Sequence, residues 1–168
     1  PLIYFPVDER KFMTGETTVV ARNRKARHDY HIIESIEMGL VLAGSEIKSI
    51  RAGKVSLAGA YAQFDDNLEL WVFGMHVAEY PEARDNHDPD RPRKLLAHAR
   101  ELRKIRRRVE EKGITLIPLD VHISSRGRAK IQIGLCKGKT RYDKRSDIAE
   151  RDVKRRLDAA MKHSLRDQ

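Results

Sequence analysis

The sequence predicts a mainly β fold, a small β-barrel with embedded helices, followed by a basic tail. Two pairs of strand-like segments carry this prediction. Residues 55–64 and 68–77 flank the turn-forming trio Asp65-Asp66-Asn67 and predict a hairpin. Residues 114–123 and 128–136 flank a turn at Arg126-Gly127 and predict the last two strands. A barrel is favoured because a closed sheet has no exposed strand edges to invite aggregation.

The other elements follow in chain order. Residues 29–36 predict the first strand, and residues 46–52 predict a short helix with Ser45 as its N-cap and Gly53 at its end. Residues 68–77 are apolar on both faces, which is typical of a strand inside a closed barrel. Residues 81–92 lack periodicity and are rich in Asp, Asn and Pro, so they predict a loop.

The most strongly periodic segment is residues 95–109, where apolar side chains recur every three or four positions. This pattern predicts an amphipathic helix whose opposite face carries arginines. Leu96 belongs to the apolar stripe, so we expect it to pack in the core. Residues 128–136 alternate between apolar and polar side chains, which predicts a strand with one face inward.

The pattern changes after residue 137. Asp147 and Glu150 predict the start of a helix. Its apolar stripe is only one residue wide and consists of Ile148, Val153, Leu157, Met161 and Leu165. Such a helix is marginal alone in water. We therefore expect the tail to be disordered when free and helical only against a partner.

Charge indicates the class of partner. The 168 residues contain 34 Lys and Arg against 25 Asp and Glu, a formal net charge of +9. The bases concentrate in residues 22–27, in residues 91–108 with nine bases and one acid, and in residues 137–168 with eleven bases and six acids. Three such clusters favour a nucleic acid. A membrane surface is disfavoured because these segments lack a Trp- and Phe-rich face.

Other classes of protein find little support. No apolar stretch approaches the roughly 20 residues of a membrane span, and Pro6 interrupts the N-terminal apolar patch, so we expect a cytoplasmic protein. The lone Cys136 excludes an internal disulfide and predicts inert packing.

Catalytic patterns are weak as well. His28 and Asp29 resemble a base with its orienting acid, but adjacent residues on a strand point to opposite faces. Residues 85–90 could hold a hard cation, although such a loop is more often a solvated connection. We expect no enzyme activity, no metal and no cofactor.

Several ordered blocks are more specific than composition. They are residues 21–30 (ARNRKARHDY), 37–39 (EMG), 44–54 (GSEIKSIRAGK), 88–96 (DPDRPRKLL), 127–131 (GRAKI) and 138–145 (GKTRYDKR). Together they resemble the small protein B family of tmRNA-binding proteins. The resemblance implies an oligonucleotide-binding-like β-barrel over residues 21–137, a flexible leader over residues 1–20 and a basic tail over residues 138–168.

The family's role implies an RNA-binding adaptor for trans-translation. Such an adaptor binds the tRNA-like domain of tmRNA, supports its alanylation by alanyl-tRNA synthetase and delivers it with elongation factor Tu to stalled ribosomes. The synthetase and the elongation factor would be indirect partners reached through tmRNA. The tail would contact small-subunit RNA in the decoding centre and the empty messenger channel. We expect this adaptor to be a monomer.

Matching the motifs residue by residue assigns two sets of contacts. The tmRNA-binding set is Asn23, Arg24, Lys25, Arg27, His28, Tyr30, Glu37, Glu46, Lys48, Ser49, Arg51 and Lys130. The ribosome set is Gly138, Lys139, Tyr142, Asp143, Lys144 and Arg145. Basic side chains suit phosphates, and Tyr30 and His28 suit unpaired bases. Glu37 and Glu46 are unusual on an RNA surface: they would accept hydrogen bonds from bases or orient arginines, and Glu46 could equally be a structural cap.

Two alternatives stay open at this point. A ribosomal structural protein would have the same charge and a similar small barrel. A basic ribonuclease would use His28 or His122 as its general acid and base.

Overall fold

The computed structural model describes residues 17–111, 113–140 and 143. Within them the chain forms nine strands and three helices. The strands are β1 (Thr18–Arg22), β2 (Tyr30–Leu40), β3 (Val55–Ser56), β4 (Tyr61–Phe64), β5 (Leu70–Phe73), β6 (His76–Val77), β7 (Arg93–Leu96), β8 (Ile114–Ile123) and β9 (Ala129–Gly138). The helices are α1 (Arg24–Asp29), α2 (Gly44–Arg51) and α3 (Ala99–Val109).

The main sheet closes on itself. Its strand order is β1-β8-β4-β5-β7-β2-β9, and β8 also pairs with β9. This last pairing completes a ring that runs β8-β4-β5-β7-β2-β9. Strand β1 lies outside the ring because it pairs with residues 120–123 of β8, whereas β4 pairs with the same strand at Leu116. The predicted mainly β barrel with embedded helices is therefore confirmed.

The β8–β9 hairpin confirms the predicted last two strands. Its pairing runs from Ile114 opposite Lys137 to Ile123 opposite Ala129. The turn contains Gly127 at a φ of 73°, a left-handed conformation that favours glycine. Gly134 is required for a different reason: a Cβ there would lie 3.0 Å from both Cys136 Sγ and Leu119 Cδ1.

A bulge in β8 decides which of its side chains reach the surface. The register shifts between Pro118 and Asp120. Before the shift Ile117 packs in the outer apolar cluster, yet Val121, four residues later, packs in the barrel core. Because side chains alternate along a strand, only the extra residue of the bulge can reverse the faces. Asp120 and His122 consequently lie on the outer face of the barrel.

The core has two parts. The larger lies inside the barrel and includes Met38, Ile50, Val72 and Ile105, so both α2 and α3 contribute to it. The smaller lies on the outer face of β8 and β9. It consists of Ala26, Ile117, Leu119 and Cys136, with Tyr30 and Ile32 packed against it. This outer cluster fixes α1 against the barrel.

The predicted hairpin of residues 55–77 is confirmed, but each of its two predicted strands is divided into two shorter strands. Strands β4 and β5 pair with Tyr61 opposite Phe73 and Phe64 opposite Leu70. The first arm is divided into β3 and β4, and the second into β5 and β6 at Gly74, whose φ is 68°. Strands β3 and β6 form a separate two-stranded sheet.

Helix α3 begins four residues later than expected. Leu95 pairs with Leu70 and Leu40, and Leu96 pairs with Gly39, so both leucines belong to β7. Leu96 is 50% exposed, and the prediction that it packs in the core is wrong. The three- and four-residue spacing predicted a helix at Leu95 because Leu95 packs in the same core as the apolar side of α3. The apolar pattern of the helix therefore continues into the preceding strand.

Three local details also differ from the sequence expectations. The carboxylate of Glu46, rather than Ser45, caps the start of α2 by accepting the Ala43 N–H at 2.6 Å. Helix α1 and strand β1 were not predicted. Strand β1 begins at Thr18, so the expected boundary after residue 20 falls inside it.

The chain divides into two compact units, Pro1–Lys137 and Gly138–Gln168. The expected tail helix and its disorder concern residues outside the described part of the chain. In that described part, no helix combines the length and the apolar character needed to cross a membrane.

Candidate nucleic-acid interface

Asn23 holds α1 in place. Its Oδ1 accepts the Ala26 N–H at 3.0 Å, which caps the helix, and its Nδ2 donates to the carbonyls of Leu57 and Pro118 at 3.3 and 3.0 Å. The Asn23 backbone N–H also donates to the Leu119 carbonyl at 2.7 Å. Asn23 is only 8% exposed, and it lines a cleft together with Arg24 and Arg27. Its predicted contact with RNA stays a prediction. Asn23 positions the exposed bases that follow it.

Those bases border a cleft. Arg24, Lys25 and Arg27 are exposed along α1. Arg24 and Arg27, together with Arg22 of β1, line a cleft of about 360 Å³ whose acidic member is Asp120. A short helix that places several guanidinium groups around one open cleft suits phosphate oxygens, since arginine binds them with two parallel hydrogen bonds.

A chain of titratable side chains continues from this cleft across three neighbouring strands. His122 Nδ1 lies 3.1 Å from Asp120 Oδ1, and His122 Nε2 lies 2.9 Å from Glu37 Oε2. The other oxygen of Glu37 lies 3.4 Å from Lys130 Nζ. The hydrogen bond with His122 outweighs burial and, with help from Lys130, lowers the pKa of Glu37. The α1 bases, Glu37 and Lys130 therefore form one connected surface.

Asp120 and His122 were not among the predicted contacts. No motif points to either, because their outward orientation depends on the β8 bulge. The alternation of polar residues along β8 is the signal that could have suggested them.

Helix α2 adds two exposed bases to this side of the barrel. Arg51 Nη2 donates to the Gly127 carbonyl at 2.8 Å, which ties the end of α2 to the turn of the hairpin that carries Lys130. Lys48, one turn earlier on the helix, places its Nζ 5.2 Å from the centre of the Tyr80 ring. Arg51 therefore lies beside the β8–β9 turn and Lys48 beside Tyr80, and their predicted contacts with RNA stay predictions.

Glu46 and Ser49 do not reach that surface. Both are fully buried, so the prediction that they lie on the RNA surface is wrong. The Glu46 carboxylate accepts hydrogen bonds from Arg91 Nε and Arg93 Nε, each at 2.8 Å, as well as from the Ala43 N–H. Burial raises the pKa of Glu46, but these donors outweigh burial and lower it. Glu46 therefore connects α2 to the segment that leads into β7.

The basic cluster of residues 91–108 consequently has two different parts. Arg93 is fully buried, and besides Glu46 it donates to the carbonyls of Met75, Pro89 and Arg91. Lys94 pairs with Glu69. The exposed bases are on α3, where Arg100, Arg103, Lys104, Arg107 and Arg108 line a shallow groove together with Glu101. The bases of α3 are the more exposed part of the cluster, since Arg91 and Lys94 are partly buried and paired with Glu46 and Glu69.

The two ring-bearing residues of the predicted tmRNA set, His28 and Tyr30, lie at the end of α1 and the start of β2. Tyr30 is half-buried and packs against the apolar cluster under α1. His28 lies in the last turn of α1 with its Nδ1 3.0 Å from Asp29 Oδ1. The expectation that the side chains of His28 and Asp29 point to opposite faces is wrong, because both residues belong to helix α1 rather than to a strand.

Half of the ribosome set, Tyr142, Lys144 and Arg145, lies outside the described residues. Gly138 ends β9 and is exposed, while Lys139 is half-buried. Asp143 accepts the Thr140 N–H at 3.0 Å and the Thr140 hydroxyl at 2.7 Å. This is the pattern of a helix N-terminal capping interaction.

The chemistry-bearing candidates outside this surface are packed into the fold. Cys136 is fully buried, and burial raises its pKa to about 11, which suits inert packing. In the candidate cation loop, His87 contacts Ser45 Oγ at 2.9 Å and the Val77 carbonyl at 3.0 Å. Among the described residues, no group of three or more His, Cys, Asp or Glu side chains is arranged to hold a metal ion.

Comparison with known proteins shows which family this chain belongs to. The family described as "SmpB protein" matches residues 20–163. The chain belongs to the SmpB family. The SsrA-binding protein of Chloroflexus aggregans is 49% identical to it over 92% of this chain and 98% of the relative. That of Acetivibrio thermocellus is 50% identical over 90% of this chain and 97% of the relative.

A solved SmpB structure has the same fold. The structure described as "tmRNA-SmpB: a journey to the center of the bacterial ribosome" aligns with a TM-score of 0.62 and 45% identity, covering 76% of this chain and 93% of that one. The resemblance inferred from the sequence blocks is therefore confirmed at the level of the family and the fold.

Proposed function

We propose that this SmpB-family chain binds the tRNA-like domain of tmRNA through the connected surface formed by α1, Glu37, Lys130 and the end of α2. The observation that carries the proposal is the contact chain from the arginine-lined cleft through Asp120 and His122 to Glu37 and Lys130. The names of the SsrA-binding relatives support the choice of tmRNA.

The surface combines two kinds of contact. Arg24, Arg27, Lys130 and Arg51 offer charge-assisted hydrogen bonds to phosphates, which position an RNA without reading its sequence. Glu37, half-exposed and ionised, can accept hydrogen bonds from amino groups of unpaired bases. Asn23 and Glu46 act as supports, because Asn23 caps α1 and Glu46 connects α2 to Arg91 and Arg93, while Ser49 is buried in α2.

Competition binding at moderate salt tests this assignment. A tRNA-like tmRNA fragment should bind more tightly than an unrelated hairpin of equal length. Replacing Arg24, Lys25 and Arg27 together by glutamine should reduce this affinity by about a hundredfold, since three phosphate contacts are removed. The matched control replaces Arg100, Arg103 and Arg107 of α3, which removes the same charge from another helix. Equal binding of both RNAs would favour a general ribosomal RNA-binding protein instead.

We further propose a division of labour between the two units. Residues 21–137 would bind tmRNA, support its alanylation by alanyl-tRNA synthetase and present it with elongation factor Tu. Residues 138–168, through the set that begins at Gly138 and Lys139, would occupy the decoding centre and empty messenger channel of the small subunit. The protein would act in the cytoplasm as a monomer and as an adaptor rather than an enzyme.

Truncation after residue 142 tests this division. The truncated protein should keep its affinity for the tmRNA fragment and lose peptide tagging on stalled ribosomes. An equal loss of both would contradict the division. The ribonuclease alternative is tested by incubation with labelled RNA: cleavage that disappears in His122→Ala would overturn the adaptor role.

A further inference from the structure

His122 lies between two carboxylates in the middle of the proposed RNA surface. Its side chain is 7% exposed, while those of Asp120 and Glu37 are 18% and 51% exposed. Both ring nitrogens are within hydrogen-bond distance of a carboxylate oxygen, Nδ1 at 3.1 Å and Nε2 at 2.9 Å.

The number of protons on the ring follows from these contacts. A neutral imidazole has one N–H donor and one lone-pair acceptor, whereas an ionised carboxylate can only accept. A neutral ring would therefore direct a lone pair at either Asp120 or Glu37. The doubly protonated ring donates to both and places its positive charge between them. The two distances, 3.1 and 2.9 Å, suit a ring that donates to both carboxylates.

The bridge also sets the position of Glu37. Its Oε2 is held by His122 and its Oε1 lies 3.4 Å from Lys130 Nζ. When His122 is protonated, its charge offsets one of the two carboxylates. When it is neutral, one of the two carboxylates loses its N–H donor, and Lys130 is the cation left beside Glu37, whose negative charge then repels an incoming phosphate more strongly.

We propose that His122 is a positioning residue of the RNA surface, whose protonated ring holds Glu37 and Asp120 and makes affinity for RNA rise as pH falls through the range in which histidine titrates. This inference rests on the proposed RNA-binding function. His122 itself is too buried to serve as a main RNA contact and acts through Glu37 and Lys130.

Titratable and charged side chains of five elements belong to this cluster. They are Glu37 of β2, Asp120 of β8, Lys130 of β9, Arg22 of β1 opposite Asp120, and Arg24 and Arg27 of α1 across the cleft. Histidine is the one side-chain type in this group whose ordinary charge change falls near neutral pH.

The first arm of the test uses the free protein. Between about pH 5.5 and about pH 8, NMR of the His122 ring nitrogens and the Glu37 carboxyl carbon should show one shared titration step. In His122→Gln, which cannot donate to both carboxylates through a charged ring, the Glu37 step in this range should vanish. A His122 ring with a single proton throughout, or a Glu37 signal that ignores it, would overturn the inference whether or not RNA binds.

The second arm measures RNA affinity over the same pH range at fixed salt. Wild type should bind the tmRNA fragment about three- to fivefold more weakly at the upper end, the effect of one charge at a partly screened surface. His122→Gln should match wild type at high pH and lose this part of the pH dependence. His76→Gln is the matched control, because His76 also pairs with an aspartate, Asp90 at 2.8 Å, but outside the cluster. His28, which remains in all variants, contributes equally to each profile.

The outcomes separate the inference from the function beneath it. Identical pH profiles for wild type and His122→Gln would overturn the role of His122, even if tmRNA binds well. Failure of wild type to prefer the tmRNA fragment at any pH would overturn the proposed function. The NMR measurement would still show whether the His122 ring is doubly protonated between Asp120 and Glu37. If His122→Gln does not fold, Asp120→Asn serves instead, because a ring beside an amide no longer needs two protons.

Discussion

Replacing Glu46 by glutamine tests whether this carboxylate stabilises the fold or contacts RNA. The substitution keeps the size of the side chain and one carbonyl oxygen for the Ala43 N–H. It removes the negative charge that faces Arg93 and Arg91. Arg93 is fully buried and would keep its positive charge without a counter-ion.

The magnitude follows from burial. Removing one partner of a buried ion pair costs about 3–5 kcal/mol, because the remaining charge is left uncompensated. The 32% exposure of Arg91 allows water to relieve part of the loss on that side, so we expect about 3 kcal/mol. For a domain of this size that corresponds to a fall in melting temperature of roughly 10 °C.

Urea unfolding followed by circular dichroism measures this change. The midpoint should fall with little change in the dependence of the unfolding free energy on urea. The matched control is Glu69→Gln, which breaks the half-exposed pair with Lys94 and should cost less than about 1 kcal/mol. At a temperature where the Glu46→Gln protein is fully folded, its affinity for the tmRNA fragment should stay within about twofold of wild type.

The pH dependence provides an independent check. The pKa of Glu46 is lowered in the folded protein, so its ionisation stabilises the fold above its unfolded-state pKa of about 4.3. That stability is lost as the pH falls through the folded-state value. Wild type and Glu46→Gln should therefore differ most at neutral pH and converge in acid. A loss of RNA affinity with unchanged stability would refute this reasoning and restore Glu46 to the RNA surface.

Three further outcomes are expected. Lys130→Met should reduce the slope of log affinity against log salt by about 0.7–0.9, the effect of one lost phosphate contact, and an unchanged slope would remove Lys130 from the interface. Gly134→Ala should destabilise the protein by about 1–3 kcal/mol in urea unfolding, because its Cβ would meet Cys136 Sγ at 3.0 Å. Gly138→Ala is its control, since a Cβ there meets nothing within 4 Å. Cys136 should react with a thiol reagent at neutral pH only at the rate of unfolding, because burial raises its pKa to about 11, and rapid reaction of the native protein would contradict its packing.

Helical spacing was informative for α2 and for most of α3, because apolar side chains at that spacing lie on one face of a helix. The same rule failed at Leu95 and Leu96. A strand that enters a core beside a helix continues the apolar pattern, and only pairing with β2 and β5 distinguishes the two. Helix α1 was missed because its six residues are too few for periodicity. Its capping residue, Asn23, lies within a motif that predicts a binding residue, and the motif does not reveal the cap.

The sequence also does not reveal which basic residues are exposed and which are buried. The sequence counts Arg93 and Arg107 alike, yet one is fully buried against Glu46 and the other is exposed on α3. Whether a charge faces solvent depends on what packs over it, and that information lies in distant parts of the chain. The candidate site was therefore predictable in composition, and only in part by residue.

The mainly β architecture, the two hairpins, the basic character of the chain and the family could all be inferred from the amino-acid order. These properties depend on local turns, on alternation and on short motifs that can be recognised along the chain. The tertiary structure decided which residues share the surface. A one-residue bulge after Pro118 turns Asp120 and His122 outward to meet Glu37. Side-chain direction reverses with each added residue in a strand, so this outcome depends on three-dimensional register.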